Sequence, residues 1–267
     1  MDSYKVGFIG CGNIANAIIS GSIDSGYIKY DNLYVYDCYE DKTKPFLDLG
    51  ANVLSSEIEL VKSCDFIFLT VKPQVYDDVL NTIRLYTKDK CIIAVAAGIT
   101  ISHIKSILGS CTSIIRVMPN TPLMCRKGAS ALVKEKPVTD EQYNYVKGFF
   151  SCCGVVADVE ENQINIVTAI SGSSPAFIME FIEQMINFAT ENGMEKDTAQ
   201  KLILQSFIGS AELIKSSDKP IRTLIQNVTS PNGTTEAGIQ SLNASNFSCI
   251  INNCLKSTVN RANELTK

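Results

Sequence analysis

The chain has 267 residues, 45% hydrophobic and 19% charged, enough for one or two domains that need no disulfide or metal staple. Lys plus Arg is 24 and Asp plus Glu is 28, a net charge of −4 with no basic stripe, which argues against nucleic-acid binding and for a small-molecule partner. The single histidine, His103, excludes a His₂ or His₃ metal site within one chain, and no apolar run approaches the ~20 residues of a membrane helix.

The first 160 residues alternate strand and helix. Lys5–Gly10 is an apolar strand, and Asn13–Ser25 follows with helical recurrence through Ile14, Ala17, Ile18 and Gly21. Leu33–Asp37 is the second strand, leading into a polar helix that ends near Leu49. Asp65–Val71, Cys91–Ala97 and Ser113–Met118 are apolar and mostly β-branched without polar alternation, as strands buried on both faces are. A helix over Val75–Tyr86 separates the first two. Ala129–Val133 and Val155–Val159, flanking a helix at Asp140–Cys152, read as two further edge strands. The spacing predicts an α/β fold with a Rossmann-type, mostly parallel sheet and right-handed crossovers. His103 lies on a short helix after one of these strands, with no partner evident in the sequence.

Beyond Glu160 the β-branched runs stop, and helical periodicity takes over through Phe181–Phe188, Thr198–Lys215 and Asn246–Leu265. The sequence therefore divides into a dinucleotide-binding domain, 1–160, and an all-helical domain, 161–267. Stripes such as Ile203, Phe207 and Ala211 need cover, which points to a homodimer through the helical domain. The ten cysteines show no CxxC spacing and read as free thiols in a reducing compartment; the opening MDSYKVGFIG has no signal-peptide core. A cytoplasmic protein without membrane or nucleic-acid partners is expected.

Three segments of the first domain carry chemistry. Gly10-Cys11-Gly12-Asn13-Ile14-Ala15 is a GxGxxA turn between strand and helix. Gly10 permits the tight turn, Gly12 lets a pyrophosphate approach the backbone, and Ala15 keeps helix and sheet close. Asp37 ends the second strand, where a carboxylate binds the adenosine ribose hydroxyls. Val71, Lys72 and Pro73 leave a strand at its carboxyl end, bordering the same crevice, although an ordinary loop lysine would read alike. Met118, Pro119 and Asn120 leave another, where two prolines (Pro119 and Pro122) fix the backbone, either to meet a nicotinamide amide or as a rigid corner. In the helical domain, Ser171-Gly172-Ser173-Ser174-Pro175 and Thr229–Thr235 break the helices. The second break could be a capped turn, or its N–H groups could cradle a carboxylate.

In order, GxGNxA at Gly10–Ala15, VKPQ at Val71–Gln74, AAGI at Ala96–Ile99, RxMPNTP at Arg116–Pro122, TAxSGS-x-PAF at Thr168–Phe177 and VTSP-x-GTT-x-AG at Val228–Gly238 resemble the Δ1-pyrroline-5-carboxylate reductase family. The resemblance spans nearly the whole chain and implies hydride transfer from NADH or NADPH to the cyclic imine of 1-pyrroline-5-carboxylate, giving proline. It adds Ala97 and Gly98 to the cofactor residues, sets Ser171 against the nicotinamide, and assigns substrate binding to Ser173, Ser230, Asn232, Gly233, Thr234 and Thr235. Thr235 is the expected hydrogen-bond partner of the ring nitrogen. The helical domain becomes the family's dimerisation domain, and larger rings of dimers occur in such families. This chain has Ser174 and Asn232 where the family usually has glycine. Asp37, followed by Glu40 and Asp41, disfavours a 2′-phosphate and so favours NADH, unless Lys42 or Lys44 folds back. Two alternatives stand beside this: another imine or 3-hydroxyacid reductase of the same plan, and a non-catalytic dinucleotide-binding relative. The absence of lysine between Glu160 and Met194 counts against the hydroxyacid enzymes.

Overall fold

The computed structural model describes residues 4–266. One eight-stranded sheet runs β3-β2-β1-β4-β5-β6-β7-β8. The strands are β1 (Val6–Ile9), β2 (Leu33–Tyr36), β3 (Asn52–Val53), β4 (Phe66–Leu69), β5 (Cys91–Ala94), β6 (Ser113–Met118), β7 (Gly128–Lys134) and β8 (Gly154–Asp158). Every pairing is parallel except β6 with β7. All residues of β1, β4 and β5 are buried, as two covered faces require. Alternation along the pleat sends Phe8, Phe68 and Ile93 into one core with Ile18, Phe149 and Phe150. Ile67, Leu69 and Ile92 go to the other core, with Leu60, Leu80 and Ile104. Phe8 and Phe68 stack at 4.4 Å between centroids, on facing positions of the β1–β4 register.

The structure corrects the expected strand inventory at both edges. Ala129–Val133 lies within an interior strand, antiparallel to β6, and only β8 beyond it is an edge. The opposite edge is β3, whose two residues give too short a pattern to read in sequence. Strands expected to run to Val71 and Ala97 stop at Leu69 and Ala94, where pairing ends and the ligand-facing turns begin.

The chain divides into two compact units. One runs up to Ser173 and takes in the chain again from Thr258; the other is Ser174–Ser257. The expected boundary after 160 falls inside the first unit, where polar contacts tie the following segment to β6, to the helix after β5 and to the last helix of the chain. Glu161 Oε1 accepts from the Arg116 guanidinium at 2.9 Å and from the Ile101 N–H at 2.8 Å, and Asn165 donates to Asn263 at 2.7 Å. Gly98, at φ +77, explains part of the return. A Cβ there would lie 2.6 Å from the Leu265 carbonyl oxygen, so only glycine suits both the turn and the contact.

Unit Ser174–Ser257 is helical throughout: Ser174–Glu191, Lys196–Lys215, Ile221–Asn227, Thr234–Ala244 and the first part of Phe247–Leu265. Among its residues only Ala199 and Ile203 are buried apolar side chains, while Phe181, Met185, Phe188 and Ile208 are exposed.

Candidate functional site

The first unit gathers the expected nucleotide residues at the carboxyl ends of β1, β2 and β4. Gly10 has φ +93, and a Cβ on it would approach Val71 Cγ1 to 2.8 Å and the Thr70 backbone to 3.0 Å, so neither conformation nor space admits a side chain. Gly12 differs. Its backbone is extended, and nothing lies within 4 Å of an added Cβ. The room in front of the helix Asn13–Asp24 is open, as a pyrophosphate at that terminus needs. Ala15 is fully buried against the sheet. The turn is braced by Thr70, whose hydroxyl donates to the Gly10 carbonyl at 2.7 Å.

Asp37 holds this turn as well as facing the crevice. Its Oδ2 accepts the Cys11 N–H at 2.7 Å and its Oδ1 accepts the Tyr39 N–H at 3.0 Å. Lys42 Nζ stands 4.0 Å from Oδ2 and lies over the Tyr39 ring at 4.8 Å; Lys44 makes no ion pair among the described residues. The Cys11 thiol is pushed up to about 12 by burial and then by the Asp37 charge, so it stays protonated and inert. The crevice, about 490 Å³, is lined by Gly10, Gly12, Asp37, Val71 and Lys72. It adds Tyr39, Glu57 and Asp78, which no motif announced; only their position beyond strand ends could have suggested them.

Other expected cofactor residues are placed differently. Asn13 opens the first helix beside a separate pocket with Met124 and Arg126, Ile14 packs into the core, and Pro73 starts a 3₁₀ turn, Pro73–Val75. Ala97 is exposed, whereas Gly98 faces the Leu265 carbonyl. Met118 and Asn120 meet the π-helical turn Thr168–Gly172: Asn120 Nδ2 donates to the Ser171 carbonyl at 3.3 Å, and a Cβ on Gly172 would come within 2.6 Å of Met118 Cε. Pro119, between them, is half-buried. The Ser171–Ser173 break thus belongs beside the β6 terminus. His103, which sequence left without a partner, has one: its Nε2 lies 2.7 Å from Asp77 Oδ1, outside the residues lining the nucleotide crevice.

The Thr229–Thr235 segment lies in the other unit. Gly233 N–H donates to the Ser230 carbonyl at 3.0 Å, and Asn232 sits at φ +58 between Pro231 and Gly233. That left-handed corner is where asparagine replaces glycine most readily. Ser174 starts the helix Ser174–Glu191 and is not among the positive-φ residues, so its backbone does not call for glycine. One expectation is corrected here: the N–H groups of Asn232 and Gly233 are already engaged, with Glu236 Oε2 (2.7 Å) and the Ser230 carbonyl. Thr234, Thr235 and Glu236 open the helix Thr234–Ala244 with N–H groups that have no intrahelical acceptor. No group of three or more His, Cys, Asp and Glu among the described residues could hold a metal ion, and no helix is long and apolar enough to cross a membrane.

A glycine turn opening onto vacant space, an acid at the end of β2 and a crevice beyond the strand ends define a dinucleotide-dependent oxidoreductase with an appended helical unit. Residues 161–265 match the family model for pyrroline-5-carboxylate reductase dimerisation, and residues 5–98 match that for NADP oxidoreductase, coenzyme F420-dependent. Pyrroline-5-carboxylate reductase 2 of Bacillus subtilis is 35% identical over 263 residues, covering 98% of this chain and 95% of its own. The Escherichia coli pyrroline-5-carboxylate reductase is 34% identical over 265 residues, covering 98% of each. The crystal structure of Plasmodium falciparum pyrroline carboxylate reductase with NADP bound superposes with a TM-score of 0.92 at 32% identity, covering both chains fully. The chain belongs to the pyrroline-5-carboxylate reductase family.

Proposed function

We propose that this chain carries out the reduction for which its family is named, converting 1-pyrroline-5-carboxylate to proline. The observation that carries the reading is the open space at Gly12 beside the closed turn at Gly10, the pattern of a dinucleotide cradle. When bound, the reduced nicotinamide would supply a hydride to the carbon of the protonated C=N bond, which yields the amine directly, so the protein needs no histidine for that step. The residues of this chain bind and orient. Thr234 and Thr235 offer N–H groups and hydroxyls to the substrate carboxylate and ring nitrogen, with Ser230 as a further hydroxyl donor. Asn120 fixes Ser171 next to the β6 terminus, where the nicotinamide end of the crevice is expected.

For the cofactor we propose NADH over NADPH. Asp37 is fixed at the end of β2, and the one cation within ion-pair distance of it among the described residues, Lys42, is held by Asp37 itself and by the Tyr39 ring. A 2′-phosphate would meet a carboxylate first. The assembly we propose is a homodimer through the helical unit, which leaves Phe181, Met185 and Phe188 exposed in one copy; a ring of dimers would sediment as a larger species. The cytoplasmic placement rests on the cysteine pattern of the sequence. The test is spectrophotometric: the purified protein consumes NADH when given racemic pyrroline-5-carboxylate. Absence of turnover with both NADH and NADPH refutes the enzymatic reading and leaves the non-catalytic relative.

A further inference from the structure

We propose that Glu236 is a positioning residue for substrate recognition, its carboxylate holding the turn that presents Thr234 and Thr235. The inference rests on the assignment of this segment to the substrate. Ser230-Pro231-Asn232-Gly233 is closed by the Gly233 N–H to the Ser230 carbonyl, with proline at the second position and φ +58 at the third. Those are the marks of a type II turn, in which the third residue's N–H takes no part in the closing bond. Here that N–H is not left to solvent. It donates to Glu236 Oε2 at 2.7 Å, four residues on, across the start of the helix Thr234–Ala244.

Three consequences follow from that one bond. Glu236 has no cation within ion-pair distance among the described residues, so its carboxylate is placed by the turn and by the positive end of the helix. The Gly233 N-cap has no side chain to cap the helix start, and Glu236 reaches back past it to the Asn232 N–H, so the carboxylate braces the turn and leaves the first helical N–H groups open. Finally, Asn232 stands where the family usually has glycine. A non-glycine residue at φ +58 is held there more securely when its N–H is tied down. The unengaged donors of Thr234 and Thr235 then face an incoming carboxylate from a fixed frame instead of a loose loop.

Removing the Glu236 carboxylate frees the Asn232 N–H and lets the turn relax. Glu236→Ala is expected to raise KM for pyrroline-5-carboxylate about ten-fold, the usual scale for one charge-assisted hydrogen bond, while KM for NADH stays within about two-fold. Glu236→Gln keeps an acceptor oxygen on the same stem and is expected to restore most of the affinity. If the alanine variant does not fold, Glu236→Asp, which draws the oxygen back by one methylene, carries the same expectation. An unchanged substrate KM overturns the inference. So does a glutamine variant as poor as alanine, or a parallel rise in both KM values, which would indicate general loosening. Thr235→Ala, measured alongside, separates the two layers. If Thr235→Ala is harmless, the substrate assignment itself fails; if it is damaging while Glu236→Ala is harmless, only the role of Glu236 fails.

Discussion

Replacing Glu161 with alanine removes the partner of a charge that has no route to water. The Arg116 side chain is 3% exposed, its Nη1 donates to Glu161 Oε1 at 2.9 Å, and its Nε and Nη2 have no acceptor. No other carboxylate reaches it among the described residues. Breaking a buried pair from one side costs ~3–5 kcal/mol, and the low end applies because Glu161 is 31% exposed and its field is partly screened. The same oxygen accepts the Ile101 N–H at the start of a helix, whose loss adds about 1 kcal/mol. Together, ~4 kcal/mol corresponds to a fall in Tm of about 8–16 °C for a unit of this size. Far-UV circular dichroism on heating reads it directly. Glu161→Gln keeps an acceptor and is expected to lose roughly half as much. The double variant Arg116→Met, Glu161→Gln removes the buried charge and is expected to regain most of the loss. A drop of less than about 3 °C in Glu161→Ala refutes the reasoning, because the guanidinium would then have found water.

Other outcomes follow from the site. Thr235→Ala is expected to lower kcat/KM for pyrroline-5-carboxylate by about ten- to hundred-fold with dinucleotide affinity unchanged, as the loss of one charge-assisted hydrogen bond costs ~1.5–3 kcal/mol; steady-state kinetics decide. NADH is expected to exceed NADPH in kcat/KM by about ten-fold, and Asp37→Ser to shrink or reverse that ratio; an NADPH preference in the unmodified enzyme would show Lys42 serving the phosphate. Gly12→Ala meets no atom of the protein, so Tm is expected to hold while dinucleotide affinity, read by calorimetry, collapses. Gly10→Ala clashes with Val71 and loses stability as well. Iodoacetamide at pH 8.5 is expected to modify exposed Cys38 and spare Cys11, whose thiol, raised to about 12, carries almost no thiolate; NADH is expected to protect Cys38, because it lines the crevice. Peptide mass mapping checks both.

The parts of this fold that sequence made legible are those written in local pattern. The apolar runs at Phe66–Leu69 and Cys91–Ala94 announce doubly covered strands, and the glycine turn announces its ligand by two residues and a flanking strand. The parts that stayed hidden depend on pairing across distance. Nothing in Ala129–Val133 tells that β7 turns antiparallel to β6 and stands inside the sheet. Glu161 is one acid among many until Arg116, 45 positions earlier, is seen beneath it. His103 meets Asp77 in the same way, across two helices. The Thr229–Thr235 segment sits between. Its residue types foretold a turn with a left-handed corner at Asn232, but only the folded structure shows which N–H groups the turn engages itself.

The contact between Gly98 and Leu265 also bears on the order in which the protein can mature. The dinucleotide-binding unit is discontinuous: its sheet is complete by Asp158, yet its turn after β5 is covered by chain from beyond Thr258. A ribosome delivers that cover only after every helix of the other unit has been made. Until then the nascent sheet presents an uncovered glycine turn at Gly98. The cofactor-binding half therefore cannot reach its final packing first and wait. Its completion is a late event of synthesis, tied to the emergence of the helix Phe247–Leu265.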